Sequence, residues 1–182
     1  MTNPFDEYAL SPGALASLTE PTPDLQRNYR ARGMMDRMGK AEDNGRWKYS
    51  LVDLVAMWIS DRLCQHGMVM DRRDALRLGS QLSRHVIHQY LKQRIGLPTT
   101  TPRYAVYLAD GYSEGMRVHG QEFLRVAGLA ELEGKEFDRV EVVDLHRMAR
   151  TIPKEIEMLL NIAAENEDYD TGLSDSREGL AD

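Results

Sequence analysis

The sequence predicts a mainly helical chain, α+β overall, and three observations carry that reading. Helix starts are written repeatedly as a polar cap, followed by proline at Ser11-Pro12 and Thr22-Pro23-Asp24 and standing alone at Asp71. Apolar residues recur at helical spacing through 51–63 and again through 75–90. After residue 103 the pattern shortens to strand-like runs before a final helical stretch. With 42% hydrophobic residues in 182, the chain carries enough apolar material for a real core.

Taken in order, Ser11-Pro12 opens a short helix in which Leu15 and Leu18 are three apart. Thr22-Pro23-Asp24 opens a second, with the acid favoured by the helix dipole, and Gly33 ends it after about Arg32. Two short helices a few residues apart form a helix-turn-helix arrangement. Asn44-Gly45 followed by Arg46-Trp47-Lys48-Tyr49 predicts a charged β-hairpin. Ser50 and Asp53 form a capping box for the next helix, whose Leu51, Leu54, Val55, Trp58 and Leu63 keep helical spacing until Gly67. Asp71 caps a long helix to about Ile95, with a stripe of Ala75, Leu78, Leu82, Val86 and Tyr90. Beyond it, RYAVYLADG and GMRVHG read as strands joined by a turn, QEFLRVAGLAEL as a helix and DRVEVVDL as a strand. HRMARTIPKEIEMLLNIA reads as helix, kinked or restarted at Pro153. The last stretch, ENEDYDTGLSDSREGLAD, is acidic with little to bury and is expected to be disordered. The expected organisation is therefore a winged helix-turn-helix over 8–70, a long connecting helix over 71–96, a small α+β unit over 103–163 and an acidic tail over 164–182.

Charge is distributed unevenly along the chain. The formal net charge is −6, yet residues 27–103 hold 15 Lys and Arg against 7 Asp and Glu. Both flanks are acidic, the asymmetry expected of a polyanion-binding module joined to something else. Within the basic stretch, TPDLQRNYRARGMM (residues 22–35) gathers Arg27, Arg30 and Arg32 with Gln26, Asn28 and Tyr29. With Gln26, Arg27, Asn28 and Arg30 on its exposed side, that helix offers charged donors for phosphates and planar forks for base edges. Thr22 is counted with them, and Leu25 and Tyr29 are expected to face the core. Arg46 and Lys48 on the hairpin suit the adjacent backbone or minor groove, and the Tyr49 hydroxyl is a further phosphate donor. A competing role for Trp47 and Tyr49 is packing of the hairpin on the helix.

The order of a short helix, this arginine-rich helix, a hairpin carrying GRWKYS and then LVDLVAMWISDRLCQHGM resembles the MerR-like winged helix-turn-helix family, over about residues 8–95. Arg27, Tyr29 and Gly33-Met34 match the family's second helix; Arg46 or Lys48, with Tyr49, Ser50 and Asp53, match its wing and following helix. Asn28 stands where the family has an aromatic, Arg30 replaces a Glu, and the loop before the wing is longer. The resemblance implies a sequence-specific DNA-binding transcriptional regulator, of phage or prophage type, acting as a homodimer. It implies too that the long helix pairs antiparallel with that of a second chain; the alternative is that its stripe packs inside the same chain against the 103–163 unit. The family's metal sensors carry cysteines near the end of that helix, which this chain lacks.

The remaining chemistry is thin. Cys64 is the single cysteine, so no internal disulfide or multi-cysteine metal site is possible, and a cytoplasmic, reducing compartment is expected. No apolar run suffices for a membrane span, and the first residues lack an export pattern. His85 and His88 lie three apart without a matching acidic cluster, and Asp144 before His146 reads as an ordinary helix cap. No phosphate loop, nucleophile elbow or carboxylate pair is present. The expectation is a non-enzyme without cofactor or metal, whose C-terminal unit offers a protein-partner or effector surface. Two other functions fit the same residues: a phage DNA-packaging or excisionase-like architectural protein, and a protein interaction adaptor.

Overall fold

The computed structural model describes residues 3–65, 71–98, 102–109, 112–113, 116–117, 121–134 and 139–166. Those residues are mainly helical, with small antiparallel sheets of two and three strands. After a 3-10 turn at Pro4–Asp6 come α1 (Pro12–Leu18) and α2 (Pro23–Ala31). Their starts are the ones the sequence marks: Ser11 Oγ accepts from the Ala14 N–H at 3.1 Å and Thr22 Oγ1 from the Leu25 N–H at 3.3 Å. Gly33, with φ 64°, ends α2 in the left-handed region.

β1 (Lys40–Ala41) and β2 (Trp47–Lys48) pair antiparallel across the Asn44-Gly45 turn. Just beyond β2, Tyr49 exchanges backbone hydrogen bonds with Leu10 at 2.8 and 2.9 Å, so the segment before α1 lies alongside the hairpin. α3 (Leu51–Gln65) starts with the expected capping box: Asp53 N–H donates to Ser50 Oγ at 3.1 Å and Ser50 N–H to Asp53 Oδ2 at 2.9 Å. The break expected at Gly67 and most of the acidic tail lie outside the described residues.

α4 (Arg72–Arg94) begins at Asp71, whose side chain accepts from the Asp74 N–H. Its apolar stripe is buried within this chain: Ala75, Leu82 and Val86 are fully enclosed, with Leu78 and Tyr90 beside them, against the apolar residues of α3. The stripe packs inside the same chain, but chiefly on α3 and only in part on the helix Leu145–Arg150 of the 103–163 unit, where the sequence reading places it, and it is not free to form a seam with a second copy. The α3–α4 approach is close enough that a Cβ on Gly79 would lie 2.2 Å from the Ala56 carbonyl oxygen, so only glycine fits there.

The second half corrects the sequence reading in its strand pairing, in a helix that is a strand and in the end of the last helix. β3 (Tyr104–Ala109) is the central strand of a three-stranded antiparallel sheet, flanked by β6 (Gln121–Val126) and β7 (Arg139–Asp144). A separate small pair joins β4 (Tyr112–Ser113) to β5 (Met116–Arg117). The helix expected over 121–132 is thus strand β6 followed by a 3-10 turn at Leu129–Leu132. The ladder to β3, in register from Tyr104–Val126 to Ala109–Gln121, overrides a weak helical pattern. Alternation along the strands divides the burial: Ala105 and Val143 face the main core, Val106 and Val126 a satellite covered by Leu132. Asp144 caps α5 (Leu145–Arg150), accepting from the Arg147 N–H at 3.0 Å. The final helical run restarts beyond Pro153 as α6 (Lys154–Asn166), so residues 164–166, expected in the tail, are helical. One continuous apolar cluster runs from Phe5 and Leu15 through α3 and α4 to Leu145, Ile156 and Leu160. Each such side chain contributes about 1.5–3 kcal/mol by leaving water.

Candidate nucleic-acid interface

The basic segment folds into a head in which Arg30 joins α2 to the hairpin and Asp53 joins the hairpin's entry to the start of α3. The phase of α2 is not the one the sequence suggests. Gln26 is fully buried, its amide donating to the carbonyls of Pro12 at 3.1 Å and Pro21 at 2.9 Å. Leu25, expected inside, is 38% exposed. The inward face is Gln26, Tyr29 and Arg30, spaced i, i+3, i+4, and Tyr29 packs on the core as expected. The physical reason is local: the buried Pro21 carbonyl and the half-buried Pro12 carbonyl both face the Gln26 amide, whose NH2 group can supply two donors. A leucine cannot. The price is that the Gln26 Oε1 has no donor among the described residues. Gln26 is therefore withdrawn from the set of exposed contacts.

Arg30 and Tyr49 are likewise not free donors on a surface. Tyr49 is fully buried, its ring against Gly39, where an added Cβ would approach to 2.7 Å and where φ is 75°. Its hydroxyl accepts from the Arg30 guanidinium. Burial pushes the Tyr49 hydroxyl up from its ordinary value, against the pull of that guanidinium. The same guanidinium lies over the Trp47 ring at 4.6 Å from its centroid, a contact worth about 0.5–1 kcal/mol. Arg30 thus joins α2 to the hairpin, and Trp47 and Tyr49 take the packing role that the sequence left open for them.

Asp53 completes the joint. One oxygen, Oδ2, accepts from Ser50 N–H, Ser50 O–H and Gly39 N–H at 2.9–3.1 Å, binding the hairpin's entry to the start of α3. Asp53 is 5% exposed, and desolvation raises its carboxyl above the ordinary range although those hydrogen bonds pull it down. Sequence reasoning found the Ser50–Asp53 box but not the third donor. A second polar tie was not anticipated at all. Arg72 reaches Asp61 at 2.6 Å and Glu20 at 3.3 Å, and Asp61 also accepts from the Glu20 N–H at 2.9 Å. This fastens the α1–α2 connection to α3 and α4. Burial raises the Asp61 carboxyl too, opposed by the Glu20 N–H and by Arg72.

The outer surface of the head is what remains. Arg27 is 73% exposed and pairs with Asp24 one turn back at 3.2 Å, a contact of little energy in water. Asn28 and Arg46 are exposed and Lys48 is half-buried. Thr22 is exposed; its oxygen accepts the capping bond, which leaves its O–H to donate outward. Arg27, Asn28, Arg46 and Thr22 are thus the predicted contacts that solvent reaches freely. They present two planar guanidinium forks, one amide and one hydroxyl on a frame fixed by Arg30 and Asp53.

Elsewhere little reactive chemistry gathers. Burial lowers His85 and His88 from the ordinary imidazole value, aided by Arg125 at the first and Lys92 at the second. Burial raises the Cys64 thiol, which packs at the core edge. Among the described residues no group of three or more His, Cys, Asp and Glu is placed to hold a metal, and no helix is long and apolar enough to cross a membrane. Comparison with known protein families, with characterised proteins and with solved structures gives no match to this chain.

Proposed function

We propose that the chain is a sequence-specific DNA-binding transcriptional regulator whose winged head meets duplex DNA with the outer face of α2 and with the hairpin. The observation that carries the reading is the Arg30 clamp: a guanidinium held by Trp47 and Tyr49 fixes the hairpin against α2. Arg27 and Asn28 are thereby held in a constant relation to Arg46. Preorganised donors of this kind suit a groove, where guanidinium and amide forks read base edges. The Thr22 hydroxyl and Lys48 suit the flanking phosphates. The resemblance to MerR-like heads and the basic stretch between acidic flanks point the same way.

Titration of duplex DNA at increasing salt is the test. About six neutralised phosphates give a log–log slope near −5, and a flat response removes the proposal. Arg27→Ala and Arg46→Ala should each weaken binding by about tenfold while the fold stays intact. A homodimer on a palindromic site needs a seam other than the α4 stripe. Duplexes selected from a random pool would show an inverted repeat if pairing occurs, and a single half-site if the head binds alone.

A further inference from the structure

An open cavity of about 580 Å³ lies between the segment that follows α2 and the N-terminal half of α4. Arg32 and Arg37 stand on one wall, Arg73 and Arg77 on the other, and the single acid among its lining residues is Asp36. Arg73 and Arg77 are one turn apart on the exposed side of α4, and Asp74 accompanies Arg77 at 3.7 Å. The Arg73 guanidinium donates to the Arg32 carbonyl at 3.2 Å, which ties the two walls together at the C-terminus of α2. The floor is apolar: Met35 and Leu76 are buried beneath the guanidinium groups.

Four guanidinium groups around one cavity repel one another, and a carboxylate or two does not neutralise them. A low-dielectric floor makes that repulsion larger, and by the same argument makes an incoming anion more strongly held. Guanidinium forks match phosphate oxygens in geometry as well as charge. The geometry points to a phosphate-binding cleft, formed by Arg32, Arg37, Arg73 and Arg77, that takes backbone phosphates of the duplex beside the groove met by α2. This rests on the DNA-binding reading for the source of the phosphate; a free polyphosphate offers the same chemistry. It adds α4, a core helix, to the interface.

The test uses the full chain and two double variants. R73Q/R77Q removes one wall. R37Q/R77Q leaves the Arg73–Arg32 tie in place and serves should the first variant fail to fold, as judged by its melting temperature. Each is titrated with duplex DNA over a salt series, and separately melted with and without inorganic tripolyphosphate. The expected result is duplex affinity lowered about tenfold or more, with the salt slope smaller by about 2, because two phosphate contacts are lost. Duplex binding by the wild type with an unchanged slope in a folded variant, and no response to tripolyphosphate, overturns the cleft and leaves the DNA-binding head standing. If the wild type ignores duplex but tripolyphosphate raises its melting temperature and not the variant's, the cleft stands with a free phosphate as ligand and the DNA-binding reading falls. Indifference of the wild type to both ligands overturns both.

Discussion

α2 and α4 are fixed in the molecule by opposite means. α4 buries eleven residues, nearly all apolar, and is held by their volume. α2 fully buries one, and that one is a glutamine, so with Tyr29 at the edge of the core its position rests largely on directional bonds. A short helix anchored by hydrogen bonds needs no apolar stripe, which frees most of its circumference for polar residues. Packing makes α4 rigid; polar ties make α2 available.

The largest expected effect comes from cutting the tie that fastens the α1–α2 connection to α3 and α4. Arg72→Ala leaves the buried Asp61 carboxyl with the Glu20 N–H but no guanidinium, and should cost about 3–5 kcal/mol in urea unfolding. A loss under about 1 kcal/mol means that the head is held some other way. Next, Gly79→Ala drives a methyl into the Ala56 carbonyl and should cost about 1–3 kcal/mol by the same measurement, since α3 and α4 must separate. Gln26→Ala should cost about 1–3 kcal/mol by orphaning buried carbonyls, whereas Arg27→Ala one position along should change stability by less than about 0.5 kcal/mol. If the two substitutions behave alike, the contrast between inner and outer faces of α2 is wrong.

The smallest effect concerns pH. Asp53 is held above its ordinary value in the folded state, so the fold binds its proton before the unfolded chain does. Stability contributed by this group therefore grows as pH falls through the folded value and is absent above it. Acid unfolding driven by other carboxylates should be steeper in Asp53→Asn than in the native chain. Equal slopes in a pH series of melting temperatures would mean that Asp53 titrates normally.

What the sequence made legible was local chemistry. Caps at Ser11, Thr22, Ser50, Asp71 and Asp144, the Asn44-Gly45 turn and the restart at Pro153 depend on neighbours a few residues away, and each stands where its residues put it. What depended on distant partners was not legible. Gln26 looks like a surface residue until the carbonyls of Pro12 and Pro21 are placed beside it. QEFLRV has no strong period of its own and becomes a strand because β3 offers it a ladder. Arg30 reads as a donor for a ligand, and only the approach of Trp47 and Tyr49 makes it internal. Of the predicted contacts, those on the outer face of α2 and the hairpin tip kept their exposure. Those on the inward face took structural work.

Because the Asp53 oxygen that takes both Ser50 donors also takes the Gly39 N–H, one atom joins the cap of α3 to the entry of the hairpin. A Glu at that position keeps the charge and lengthens the tether by one methylene. It would push the hairpin's entry away from α3 while the Arg30 contacts with Trp47 and Tyr49 still hold its second strand to α2, setting one tie of the head against the other.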